Sequence, residues 1–251
     1  IQVLCWEDDA YPVRLKNIPH PPPVMYIRGD LLAEDHWAVA IVGTRRVTSY
    51  GRQVTEQVAA YLARQGITVI SGLARGVDGT AHHTALQNGG RTIAVLGCGV
   101  DQIYPPEHRQ LADKILQNGA IISDYPPGTP PDAVNFPPRN RLISGLSAAV
   151  VVVEAGETSG ALITATFAAE QGKDVFAVPG GIYSPQSKGT NRLIQQGASP
   201  LLNPVDILDQ MDIHHVEQFK QASLLLPADE VESTLLKIIQ LEPMQIDEIK
   251  A

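Results

Sequence analysis

The sequence predicts an α/β fold in which a mostly parallel sheet carries helices on both faces. Apolar runs of strand length recur along the chain, stretches with helical spacing separate them, and glycines follow most of those stretches. Strands that alternate with helices six times or so favour right-handed crossovers and parallel pairing. We therefore predict a Rossmann-like domain, in which ligands bind beyond the carboxyl ends of the strands.

Six apolar runs predict strands, most of them buried on both faces. They lie at 37–42, 67–71, 92–96, 120–123, 148–153 and 174–178. The predicted helices run from a Ser49 cap to Gly66, over 78–88, from Pro105 or Pro106 to 117, after Pro138, over 159–171, and within 203–211.

The composition shift along the chain predicts four segments. Residues 1–35, with five prolines between positions 11 and 30, are expected to pack on the main domain and to include a short edge strand at 25–29. Residues 36–212 form the predicted Rossmann-like, ligand-binding domain. We predict that residues 213–227 form a linker. We predict that residues 228–251 form the start of a small helical module that is cut off.

The composition also excludes some classes of protein. Apolar residues make up 44% of the chain and charged residues 18%, which is typical of a globular protein. No run approaches the roughly 18 apolar residues of a membrane span, and the first residues lack the pattern of a secretion signal. Cys5 and Cys98 lie too far apart for a disulfide framework. We expect a cytoplasmic protein without a membrane partner.

The net charge of −8 is unevenly distributed. Residues 202–251 hold ten acidic and three basic side chains, a net charge of −7, which leaves −1 for residues 1–201. Because salt screens charges beyond about 8–10 Å, basic clusters in the main domain can still bind phosphate.

The turn after the first long strand contains Thr44, Arg45 and Arg46 ahead of a helix. A hydroxyl and two guanidinium groups beside a helix N-terminus are typical of a phosphate site, although the two arginines could instead be solvated loop charges. The second and third glycines of the G-x-G-x-x-G pattern are missing, so no dinucleotide cofactor is predicted.

The turn after the second long strand combines Gly72, Arg75 and Asp78. Glycine lets the backbone approach a ligand closely, and Asp78 is predicted to cap the helix that follows. His82 and His83 come next, but no third ligand stands at a usable spacing, so we predict no metal site. Cys98 lies between two glycines and is interpreted as a small residue in a turn, not a nucleophile.

Three later turns carry further candidates for phosphate contacts. A proline-rich loop ends in Arg139, Asn140 and Arg141, and Phe136 before them could stack on a base or anchor the loop. The other turns hold Ser159 and Gly160, and then Lys188 and Asn191. A row of such sites along one sheet edge suits a ligand with repeated phosphates, either a polyphosphate or a single-stranded nucleic acid.

Six blocks of the sequence resemble the DprA family of DNA-processing proteins, also called Smf. In chain order they are VGTRR (42–46), SGLARGVDGTAH (71–82), GGRTIAVLGCGVDQIYPPEHR (89–109), FPPRNRLISGLS (136–147), SGALITATFAAEQGKDVFAVPG (159–180) and GTNRLIQQGA (189–198). The tail resembles the start of that family's winged-helix module.

The resemblance implies an extended Rossmann-like fold and a non-catalytic protein that binds single-stranded DNA. It further implies homodimers that protect incoming DNA during natural transformation and help to load the RecA recombinase. Arg45 would be the principal phosphate contact and Arg91 the second, followed by Arg139, Asn140, Arg141, Lys188 and Asn191.

A second resemblance concerns the glycines at 180–181 and the Gly-Thr pair at 189–190, which are similar to the phosphate loop of lysine-decarboxylase-like nucleotide hydrolases. Those enzymes place a glutamate shortly after this loop, whereas Asn191 and Arg192 follow here. Acid/base cleavage of a glycosidic bond would lack that carboxylate. The hydrolase is therefore the alternative function.

Overall fold

A nine-stranded sheet runs through residues 1–211, which are the residues that the computed structural model describes. Its strands are β1 (Gln2–Cys5), β2 (Val24–Gly29), β3 (Ala38–Val42), β4 (Thr68–Ser71), β5 (Thr92–Val95), β6 (Gly119–Ser123), β7 (Ala149–Val152), β8 (Asp174–Ala177) and β9 (Ser199–Pro200). Their order across the sheet is β1-β2-β6-β5-β4-β3-β7-β8-β9.

The strands from β3 to β9 pair in parallel with their neighbours, whereas β1 and β2 join antiparallel beside β6. In the central pairing, Ile41 of β3 lies opposite Val151 of β7. All residues of both strands are buried, as expected where helices cover both faces of a parallel sheet. The predicted fold class is confirmed.

Eight α-helices surround the sheet in residues 1–211. They are α1 (Val13–Lys16), α2 (Ser49–Arg64), α3 (Val77–Gln87), α4 (Arg109–Ile115), α5 (Phe136–Leu146), α6 (Gly160–Glu170), α7 (Lys188–Gln195) and α8 (Val205–Gln210). Helix α3 contacts α2 and α4 on one face, and α5 contacts α1 and α6 on the other. One core cluster joins Leu15, Leu142 and Ala165 to the sheet, and each buried leucine contributes roughly 1.5–3 kcal/mol.

The structure differs from the sequence predictions at several element ends. Thr48, not Ser49, caps α2, because its hydroxyl accepts a hydrogen bond from the Gly51 amide at 3.1 Å. Helix α5 begins at Phe136, three residues earlier than predicted; prolines at 137 and 138 occupy its first turn, where no amide is needed.

Residues 1–35 contribute strands to the sheet itself. The expected edge strand at 25–29 is an inner strand, because β1 pairs with the side of β2 that faces away from β6. The predicted linker at 213–227 and the module at 228–251 lie outside the described residues.

Candidate functional site

The strand order reverses between β3 and β7, which pair with each other while their connections lead to opposite sides of the sheet. Residues 43–48 leave the carboxyl end of β3, and residues 153–159 leave that of β7. Such a reversal leaves a crevice between the two departing loops, which is where parallel α/β sheets bind ligands.

A cavity of about 650 Å³ lies in this crevice. Its lining combines polar residues with the apolar surface of Tyr104, Phe136 and Ile163. Of the predicted site residues, those that line the cavity are Thr44, Arg45, Arg46, Arg139, Asn140, Ser159 and Gly160. Side chains from three separate turns of the sequence therefore meet at one place.

Glu154 fixes the loop that carries the two arginines. Its carboxylate accepts hydrogen bonds from the Thr48 amide at 2.9 Å and the Thr48 hydroxyl at 2.5 Å. Its backbone carbonyl accepts a third, from the Thr44 amide at 2.7 Å. Glu154 is 2% exposed. Glu154 was not among the predicted site residues; a lone acid directly after a buried apolar strand was the available signal, because such an acid needs internal donors.

Arg45 and Arg46 are both exposed at the tip of this loop. Neither is ion-paired within 4 Å to a carboxylate of residues 1–211. The Arg45 guanidinium carbon lies 5.8 Å from the centroid of the Phe136 ring, within the range of a cation–π contact. The loop thus presents two cations to the cavity without neutralising them.

Arg139 is buried and occupies the floor of the cavity. Its Nη1 donates to the carbonyl oxygen of Gly72 at 3.1 Å and to that of Val95, so it joins the ends of β4 and β5. Burial lowers the pKa of Arg139 to about 10, although the nearby carboxylate of Asp78 opposes that shift. The phosphate contact predicted for Arg139 stays a prediction, and in the structure its guanidinium is held by backbone carbonyls at the cavity floor.

Gly72 helps to hold Arg139 and Asp78 in place. Its amide donates to Asp78 Oδ2 at 3.2 Å, and a β-carbon there would lie 2.7 Å from Arg139 Nη2. Asp78 also accepts from the Ala74 amide at 3.3 Å. The predicted helix cap is therefore wrong: Asp78 is buried within the first turn of α3 and binds the preceding loop, and burial raises its pKa.

The first turn of α6 forms the opposite wall. The Ser159 hydroxyl accepts from the Ala161 amide at 3.3 Å and caps the helix. Asn140 Nδ2 donates to the Gly160 carbonyl at 3.2 Å and ties α5 to α6. The early amides of a helix lack intrahelical partners and favour anions, so this wall complements the arginine loop.

Two predicted phosphate contacts are held elsewhere by carboxylates. Arg91 lies at the amino end of β5, away from the cavity, and binds Asp35 at 2.7 Å with only 10% of its side chain exposed. Arg141 binds Asp124 at 2.8 Å. The structure does not bring either residue to the cavity, and both pairs are mostly shielded from solvent.

The remaining three predicted residues do not line the cavity. Arg75 is exposed and pairs with Glu107. Lys188 lies 3.7 Å from Glu157, in a pair that is largely exposed. Asn191 exchanges two hydrogen bonds with the Gly180 backbone, at 3.2 and 3.0 Å, and so holds the loop after β8.

Two further properties of residues 1–211 bear on the kind of ligand. They contain no group of three or more His, Cys, Asp or Glu side chains that could share a metal ion. None of their helices is both long and apolar enough to cross a membrane.

The sequence of this chain is similar to those of proteins named for DNA recombination or DNA processing. Residues 2–212 match the family described as DNA recombination-mediator protein A. DNA processing protein DprA of Bacillus subtilis is 44% identical over 208 residues, which cover 82% of this chain and 70% of that protein. Protein Smf of Synechocystis is 43% identical over 235 residues; the match covers 91% of this chain and 58% of that protein.

A solved structure of DNA processing protein A from Helicobacter pylori has the same fold. It superimposes with a TM-score of 0.75 at 34% identity, covering 84% of this chain and 95% of the other. The H. pylori protein is described as binding single-stranded DNA in a distinctive mode.

Proposed function

Because the chain belongs to the DNA recombination-mediator protein A family, we propose that it binds single-stranded DNA in the cavity between the loops after β3 and β7. One observation carries the proposal: Arg45 and Arg46 are exposed, are not ion-paired among the described residues, and face the cavity from a loop that Glu154 holds in place. A fixed pair of guanidinium groups recognises phosphate oxygens well, since each forms paired hydrogen bonds and remains charged.

The opposite wall adds a second source of positive potential. The first turn of α6 lines the same cavity, and the 11 residues of this helix give it a dipole whose positive end lies there. A phosphate between this turn and the arginine loop would gain from both walls.

The apolar surface of the cavity suits a base. Phe136 and Tyr104 lie with ring centroids 5.6 Å apart and both line the cavity. Stacking on an aromatic ring contributes about 1–3 kcal/mol per base and tolerates any sequence. Only an unpaired base is free to enter such a cavity, so these rings favour a single strand over a duplex.

In this proposal the site binds and does not catalyse. The two acids nearest the arginine loop, Asp78 and Glu154, are buried, and their carboxylates accept hydrogen bonds from the chain's own amides and hydroxyl. Neither is placed to act as the acid or base that hydrolysis of a nucleotide would need. Nothing in the cavity favours the alternative hydrolase.

The proposals on cellular location, dimerisation and recombinase loading are based on membership of the family. We propose a cytoplasmic homodimer that protects incoming single-stranded DNA during transformation and helps to load a RecA-type recombinase onto it. The chain spans 58–70% of two curated relatives. The recombinase contact is testable by following filament growth on DNA coated with single-strand-binding protein, and dimerisation by sedimentation.

Titration of a labelled oligothymidylate, followed by fluorescence anisotropy at several salt concentrations, tests the central proposal. Arg45→Ala should weaken binding about tenfold and reduce the salt slope by about 0.7 for the lost phosphate contact. Arg64→Ala is the matched control, because Arg64 is exposed at the far end of α2 and bonds Asn88. Equal affinities for all three proteins would overturn the proposal; release of free base from a nucleoside monophosphate would support the hydrolase.

A further inference from the structure

A second groove lies on the outer surface of the helices that cover one face of the sheet. It measures about 440 Å³ and is formed by α2, α3 and α4 together with the segment before α4. The exposed side chains in it that can meet a nucleic acid are Arg52, His83, Gln87, Gln110 and Lys114. The site proposed above does not include this groove.

The two grooves lie on either side of the segment 74–76. Ala74 lines the first and Gly76 lines the second. The backbone of Gly76 packs against that of the arginine loop: a β-carbon at Gly76 would lie 2.8 Å from the carbonyl carbon of Arg45, and the Val77 amide donates to the Thr44 carbonyl at 3.2 Å. Gly76 also has φ = +75°, which favours glycine. Arg75 therefore stands at the boundary between the grooves.

Arg75 can exchange its partner for a phosphate. It pairs with Glu107, which lines the second groove, and the two side chains are 56% and 48% exposed. An exposed ion pair contributes little stability, typically less than about 1 kcal/mol. A phosphate that replaced the Glu107 carboxylate would preserve a charge-assisted contact to the guanidinium at little cost.

The second groove offers both cations and groups that can contact bases. Arg52 and Lys114 are exposed and are not ion-paired with any carboxylate of residues 1–211. Amide and imidazole side chains can donate to and accept from base edges. Two acids, Glu56 and Glu107, also line the groove, so its charge is mixed and its affinity should be lower than that of the first cavity.

From this geometry we propose that a single DNA strand held at the first cavity crosses Arg75 and continues through the second groove. This inference rests on the proposed function. It makes the binding site longer than the first cavity, so that affinity depends on strand length. Footprints of roughly 4–16 nucleotides are common for domains that bind single strands.

Oligonucleotide length separates the two grooves experimentally. The charge-reversal variant Arg52→Glu/Lys114→Glu should bind an oligothymidylate of about 20 nucleotides at least tenfold more weakly than the wild type. Its affinity for one of about 6 nucleotides should stay within twofold. Arg64→Glu, on the same helix, is the matched control and should change neither affinity.

A gain of affinity provides a second test that misfolding cannot mimic. Glu107→Gln removes the competitor for Arg75 and should strengthen binding of the long strand about threefold, with less effect on the short one. Glu170→Gln, at the end of α6, is its control.

The inference is overturned if the double variant leaves long-strand binding unchanged or weakens both lengths equally. Failure of the wild type to bind either length would instead refute the proposed function itself.

Discussion

Glu154 and Thr48, separated by 106 residues in the sequence, are joined by two hydrogen bonds at 2.9 and 2.5 Å. Both acceptors belong to one buried carboxylate, and both donors to the residue that caps α2. The conformation of the arginine loop is thereby coupled to the end of β7.

Replacing Glu154 should loosen the arginine loop. Glu154→Gln removes the negative charge and replaces one acceptor oxygen with an amide nitrogen, so the charge-assisted hydrogen bond from the Thr48 hydroxyl is lost, which costs about 1–3 kcal/mol of unfolding free energy. DNA binding should weaken about as much as in Arg45→Ala, because the arginines lose their fixed positions. Urea unfolding and anisotropy measure the two effects. Thr48→Ser keeps the hydroxyl and serves as the conservative control; near-wild-type binding by Glu154→Gln would contradict a positioning role.

Gly51 should tolerate no side chain. A β-carbon there would overlap the Glu154 carboxylate, whereas one at Gly160 has no atom within 4 Å. Gly51→Ala should therefore lower the unfolding free energy by about 1–3 kcal/mol through overpacking. Gly160→Ala should change it by less than about 1 kcal/mol. Thermal unfolding of the two variants compares the sites directly, and equal melting temperatures would show that the protein accommodates a β-carbon at Gly51 without cost.

The domain should lose stability as pH falls from about 6.5 toward 3. His82 is fully buried, with Nδ1 2.7 Å from the Thr92 hydroxyl, and burial holds its pKa at about 3. The unfolded chain, with a histidine pKa near 6.5, binds the extra proton in this window, so unfolding is favoured there by up to about 1.4 kcal/mol per pH unit.

Unfolding titrations at several pH values measure this slope. His82→Asn should reduce it, whereas His83→Ala, at the exposed neighbouring position, should leave it unchanged. An unchanged slope in His82→Asn would assign the acid sensitivity to other groups.

The two cysteines should differ in reactivity. Cys5 is exposed, whereas Cys98 is buried and its thiol donates to the Gln102 carbonyl at 2.9 Å. Burial raises the pKa of Cys98 to about 11, and only the thiolate reacts readily. Iodoacetamide at pH 8 should alkylate the native protein once and the unfolded protein twice, as read by mass spectrometry. Cys5→Ser should abolish native labelling; rapid modification of Cys98 in that variant would contradict its burial.

Sequence patterns were sufficient for the family and for most of the architecture. The resemblance to the DprA and Smf proteins is confirmed, as is the parallel sheet, since fully buried strands such as β3 and β7 are apolar throughout. Residues in turns directly after strands, such as Arg45 and Ser159, also meet as expected, because the carboxyl ends of parallel strands share one edge.

Partners distant in sequence were not predictable from local patterns. In the sequence, Arg91 and Arg139 cannot be told apart from Arg45. In the structure, Arg91 pairs with Asp35, and Arg139 donates to backbone carbonyls. Whether an arginine faces solvent depends on which acids and carbonyls the fold brings beside it. The same reason explains why Glu154 was missed: its donors at Thr48 become neighbours only when β3 and β7 pair.

The pairing of β3 with β7 has a consequence for synthesis on the ribosome. Three other strands, β4, β5 and β6, leave the ribosome between these two partners, and the arginine loop lacks its hydrogen bonds to Glu154 until β7 is made. Contacts between such remote segments form late, since the intervening chain must first be ordered. A nascent chain that ends before Glu154 would contain both arginines, but the acid that fixes their loop would be missing. The ability to bind single-stranded DNA should therefore appear abruptly, in the last steps of folding.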